Sequence, residues 1–117
     1  MENAILDKSK SFAIRIINLY RYLQEEKHEH VMSKQLLRSG TSIGANCREA
    51  SRAQSRPDFI SKLQIALKEA DESAYWLELL YETEYLEEKQ FQSIYTDAEE
   101  LIKILVSIIN TTKRNQF

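Results

Sequence analysis

"RSGTSIGANCREASRAQSRPD", residues 38–58, holds both glycines of the chain, four arginines and its only proline. Where this stretch breaks sets the helix count. Ser55 followed three residues later by Asp58 is a variant of the capping box, and Pro57 suits a first helical turn, where its missing N–H costs nothing. The stretch therefore ends one helix, at about residue 53, and begins another at about residue 57.

Downstream, the third helix continues along the apolar stripe Phe59, Leu63, Ala66, Leu67, Ala70, Ala74, Leu77 and Tyr81, to about residue 82. Upstream, "EEKHEHVMS" is a polar loop, and its Ser33 is the expected N-cap of the second helix. Before that loop Ile5, Phe12, Ile16, Leu19 and Leu23, joined by Ala13, Ile17 and Tyr20, recur at helical spacing and predict a first helix over about residues 4–26. Beyond "TEYLEEK", Phe91, Ile94, Tyr95, Ala98, Leu101, Ile102, Leu105, Ile108, Ile109 and Thr112 predict a fourth over 87–112, with Glu87 and Glu88 at its electropositive start. Four helices of similar length joined by short loops pack most simply as an all-α, up-down-up-down antiparallel four-helix bundle in one domain of 117 residues. Two glycines and one proline are too few turn formers for a many-stranded sheet.

The second helix has two unlike faces. Counting about 100° per residue, Lys34, Arg38, Arg48, Arg52 and Arg56 lie within about 40° of one line if the helix runs unbroken that far. The other side carries Leu36, Ser39, Gly40, Ile43, Asn46, Cys47 and Ala50, a thin core face. Glycine costs about 1 kcal/mol relative to alanine inside a helix, so Gly40 and Gly44 call for a compensating close approach by a neighbouring backbone. Asn46 is expected to satisfy a polar group on that face, and Cys47 to serve as core packing rather than as a nucleophile.

The basic line reads either as a solvated helix face or as a phosphate-binding strip built from arginine forks. The net charge of −2 divides unevenly. Residues 1–57 carry ten Lys/Arg against six Asp/Glu, while residues 58–117 carry six against twelve.

On the third helix Ile65, Trp76 and Leu79 point away from the core stripe, with Tyr75 at their edge and Lys68, Glu69 and Glu72 among them. A helix apolar on two faces predicts an oligomer interface, a mixed surface with an aromatic anchor. Catalysis finds no motif. Di-iron chemistry in a bundle needs inward Glu-x-x-His pairs, but His28 and His30 both fall in the first loop, and no metal or other cofactor is expected. Residues 1–20 carry Glu2, Asp7, Lys8, Lys10 and Arg15 rather than a secretory signal, and no apolar run is long enough to span a membrane. A cytoplasmic protein is expected.

"RSGTSIGAN" at 38–46, "EASRAQSRPDFISKLQIALKEADES" at 49–73 and "YWLELL" at 75–80 together resemble the 23S ribosomal RNA intervening-sequence proteins, relatives of the accessory proteins of diversity-generating retroelements. The likeness spans nearly the whole chain. It implies an up-and-down bundle that assembles as a ring-like homopentamer, without catalysis, and that binds RNA or a nucleic-acid enzyme. Arg38, Asn46, Glu49, Arg52, Ser55, Phe59, Glu69 and Trp76 are the motif positions carried over, whereas Cys47 and Arg48 stand where the family is expected to vary. A protein-interaction scaffold or accessory subunit of a nucleic-acid enzyme, without direct RNA contact, is the alternative.

Overall fold

The structure, a computed structural model, describes residues 3–115, which form four helices: α1 (Asn3–Glu25), α2 (Met32–Ala50), α3 (Arg56–Glu82) and α4 (Glu88–Arg114). Among the described residues there is no strand.

Each boundary has a local cause. After α1 the chain turns through His28, which adopts a left-handed φ of 52°. Glu29 then folds back under the start of α2, where its carboxylate accepts from the backbone N–H groups of Val31 (2.9 Å), Met32 (2.6 Å) and Ser33 (3.0 Å). Glu29, rather than the expected Ser33, therefore supplies the side-chain cap. Ser33 lies inside the helix and is buried, its hydroxyl donating to the Glu29 carbonyl at 2.8 Å and accepting from Gln24 at 2.6 Å. A longer carboxylate set back in the loop reaches three orphan donors where the serine hydroxyl would reach one.

The next boundary follows the expected chemistry at Ser55, whose hydroxyl accepts from the Asp58 N–H at 3.2 Å with Pro57 in the first turn. Yet α2 stops at Ala50, short of residue 53. Arg52 and Ala53 bond to the carbonyls of Glu49 and Ala50, a tight i→i−3 turn, because the chain must leave the helix for Ser55 to reach its extended capping conformation. At the start of α4, the Glu87 N–H donates to the Gln90 side chain at 2.9 Å.

The helices pack in the cyclic order α1, α2, α3, α4 within a molecule measuring 51 × 20 × 20 Å. Ile16 faces Gly40 while Ser9 faces Gly44, Ser39 bonds Ser73 while Glu49 pairs with Lys62, and Glu78 bonds Tyr95 while Tyr81 stacks on Phe91. Residue numbers run oppositely across every one of these seams, as an up-down-up-down bundle requires. The α1–α4 seam is the least extensive and is bridged by exposed polar contacts, Lys8–Glu100 at 3.1 Å and Arg15–Asp97 at 2.6 Å.

The thin face of α2 explains the glycines. A Cβ placed on Gly40 would lie 2.8 and 2.9 Å from the two γ-carbons of Ile16, so α1 approaches α2 more closely than any side chain there permits. Leu36, Ser39, Gly40, Ile43, Cys47 and Ala50 are buried as expected. Asn46 is half-buried and donates to the Ser42 carbonyl at 2.9 Å. Two core residues of α3, Ile60 and Leu80, fall outside the expected stripe, and Ile17 of α1, expected inside it, is exposed. These departures share a cause: α3 packs on both α2 and α4, so its buried surface is wider than one stripe, whereas α1 meets α4 only loosely.

Candidate nucleic-acid interface

The five cations expected on one line separate into different surroundings. Lys34 is exposed in the first turn of α2, about 21 Å along the axis from Arg48. Arg38 is already engaged: its guanidinium donates to Glu69 of α3 at 2.9 Å and to Glu72. Arg48 is exposed in the last turn of α2 and Arg52 lies in the turn beyond it. Arg56 opens α3 and donates to the Asn115 carbonyl at the end of α4.

Arg38 belongs to a polar cluster on the α2–α3 seam. Glu72 also accepts from the Trp76 indole N–H at 3.1 Å, and this bond together with Arg38 holds the Glu72 carboxyl below its usual range, while Glu72 and Glu69 raise the Arg38 guanidinium. Beneath them the Ser73 hydroxyl donates to Ser39 at 2.9 Å in the buried interior. Several positions that carry the family likeness are thereby accounted for structurally: Arg38 pairs with Glu69, Glu49 with Lys62, and Ser55 caps α3, while Phe59 packs against the core.

Arg48 and Arg52 instead line an open groove of about 750 Å³ between α1 and α2, facing Lys10 of α1. Apart from Leu6, its uncharged lining is small, Ala13, Thr41, Gly44, Ala45 and Ser51, so an extended ligand backbone has room to approach. Among the described residues Glu49 is the only carboxylate on the groove, and it is neutralised by Lys62 at 2.9 Å. Among the described residues Lys10, Arg48 and Arg52 form no ion pair. Lys10 could not be found from the α2 pattern, because it reaches the groove from another helix through tertiary packing.

The outward face of α3 is less apolar than its sequence suggests. Ile65 and Tyr75 are exposed, at 42% and 54%, but Trp76 and Leu79 are half-buried, and Trp76 packs against the core with its ring held by Glu72. The indole N–H donates to Glu72 one turn earlier on α3, the carboxylate that Arg38 of α2 also binds.

Cys47 is fully buried, and burial pushes its thiol up to about 11, which keeps it neutral at physiological pH. His30 contacts the Gln24 side chain. Among the described residues no three His, Cys, Asp or Glu side chains gather in a metal-binding arrangement, and no helix is long and apolar enough to cross a membrane.

Residues 1–107 match the family model described as 23S rRNA-intervening sequence protein. The chain belongs to that family. The crystal structure of a protein with unknown function from the S23 ribosomal protein family of Bacteroides thetaiotaomicron VPI-5482 is 63% identical, covers 90% of this chain and 97% of its own, and superposes with a TM-score of 0.89. No curated protein matches the sequence. That relative is described as a protein with unknown function.

Proposed function

We propose that this member of the family is a non-catalytic cytoplasmic protein that holds RNA by its phosphate backbone in the α1–α2 groove. One observation carries the reading: Lys10, Arg48 and Arg52, cations without ion-pair partners among the described residues, converge on one open groove with a mostly small uncharged lining and a carboxylate already neutralised by Lys62. Arginine forks pair with phosphate oxygens in two parallel bonds, and an open groove leaves them hydrated until a ligand arrives. Among the described residues no aromatic side chain lines the groove, so bases have no stacking platform there and the contact is to the backbone, without sequence preference. Arg38, with its two carboxylate partners, is not part of this surface.

The test is fluorescence anisotropy with a labelled RNA hairpin over a series of salt concentrations. Three phosphates engaged in the groove contribute about −2 to −3 to the slope of log affinity against log salt. Changing Arg48→Glu together with Arg52→Glu should abolish association at moderate salt and leave the helical circular dichroism unchanged, since both side chains are exposed. An unmutated protein that fails to bind at low salt overturns the proposal, leaving the protein-interaction scaffold.

Assembly of several copies, a pentamer by family likeness, would multiply these weak contacts. The exposed Ile65 and Tyr75 on α3 support a contact face there. Light scattering on micromolar protein is expected to give a mass several times 13.7 kDa, and a monomer would overturn this part of the reading.

A further inference from the structure

The antiparallel packing sorts charge along the long axis of the bundle in a way unrelated to the division between the two sequence halves. A cut at the level of the Arg15–Asp97, Ile16–Gly40 and Ser39–Ser73 contacts leaves residues 3–14, 42–70 and 98–115 on one side and residues 15–41 and 71–97 on the other. The first side carries ten Lys/Arg against six Asp/Glu, a net of +4, and the second six against eleven, a net of −5. Pairing sharpens the contrast. Of the six carboxylates on the basic side, Glu49, Glu69 and Glu100 are bound to Lys62, Arg38 and Lys8, while Lys10, Arg48, Arg52, Lys103, Lys113 and Arg114 form no ion pair among the described residues.

These cations are joined by a chain of depressions around the end of the bundle. Ser51 lines both the α1–α2 groove and a second hollow that contains Arg56 and Thr112. Thr112 lines a third, with Lys103 and Thr111, and Thr111 a fourth, with Lys113 and Arg114. The Arg56 guanidinium bonds the Asn115 carbonyl, which ties the start of α3 to the end of α4 and brings the two basic clusters together.

We infer that the RNA contact continues from the α1–α2 groove around this end of the bundle to the last turn of α4, with Lys113 and Arg114 binding phosphates and Lys34 at the acidic end binding none. This inference rests on the proposed function and extends it to a place and a direction. A polyanion is drawn to the basic end and repelled by the carboxylates of Glu78, Glu82, Glu84, Glu87 and Glu88 at the other, so it docks end-on rather than along α2. Lys113 and Arg114 sit 65 and 62 residues from Arg48 and Arg52 in sequence and are neighbours of that groove only because α4 ends where α2 ends.

Three double variants of the full chain, tested on one 24-base-pair RNA duplex by anisotropy, separate the possibilities. Lys113→Glu with Arg114→Glu should weaken binding at least tenfold and reduce the salt slope by about 2, one for each phosphate no longer engaged. Lys27→Glu with Lys34→Glu, which makes the same change of charge at the acidic end, should weaken it less than threefold. Arg48→Glu with Arg52→Glu reports on the groove itself. Binding by the unmutated protein that is lost in the groove variant but unchanged in the α4 variant overturns this inference and leaves the groove reading intact. Equal losses at the two ends overturn it as well, since the effect would then follow net charge alone. An unmutated protein that does not bind the duplex overturns both readings.

Discussion

Replacing Glu29 by alanine is expected to lower the stability of the bundle by about 3 kcal/mol, the cost of leaving charge-assisted hydrogen bonds at a partly buried helix start unmade. Glu29 is 5% exposed, and its carboxylate is the acceptor for three successive backbone N–H groups at the start of α2. Those donors have no partner within the helix, and the Ser33 amide is buried, so water cannot fully replace the lost oxygens. The helix dipole adds to the effect, because the carboxylate sits at its positive end. Thermal unfolding followed by circular dichroism should show a fall in Tm of about 10–15 °C for a domain of this size. Glu29→Gln keeps one oxygen acceptor and should fall between the two. A change below about 2 °C in the alanine variant would mean that the cap contributes far less than a buried charge-assisted network ordinarily does.

Gly40→Ala is expected to destabilise by about 1–2 kcal/mol, against the helix-propensity gain of about 1 kcal/mol that such a change ordinarily gives. The new methyl would meet Ile16 at 2.8 and 2.9 Å, and both atoms are the γ-branches of a β-branched side chain that has little rotamer freedom in a helix. Relief therefore requires α1 to move away from α2, which loosens the packing around Phe12 and Leu36. Gly44→Ala is the internal control. Its methyl would lie 3.3 Å from the Ser9 hydroxyl and 3.4 Å from the Ser9 carbonyl oxygen, a tight but smaller intrusion. The opposing terms then nearly cancel, and a net change within about 0.5 kcal/mol is expected. Chemical denaturation of both variants checks the pair; a Gly40→Ala protein more stable than its parent would show that the α1–α2 spacing is not set by that contact.

The one-sidedness of α2 was legible in the sequence, but the use of its basic side was not. Arg38 and Arg48 lie at opposite margins of the basic side, about 80° apart; Arg38 meets carboxylates 31 and 34 residues away while Arg48 meets a groove completed by Lys10. Angular position along a helix says which way a side chain leaves the axis, and it says nothing about what the neighbouring helix presents there. Trp76 shows the same limit from the apolar side: its position opposite Leu63 predicted an outward ring, but the ring is half-buried and packs against the core.

The number of helices, the break at Ser55 and Pro57, the buried small face of α2 and most of the core could be read from the chain alone, because each rests on interactions within a few residues: a hydroxyl capping an amide three positions on, or apolar side chains recurring every 3.6 residues. Packing in three dimensions was needed to establish that Arg38 is bound and Arg48 is not, and that a chain basic in its first half and acidic in its second becomes a bundle basic at one end and acidic at the other. Ion pairs and electrostatic fields sum over distance in space, and antiparallel packing makes neighbours of residues that the chain keeps farthest apart.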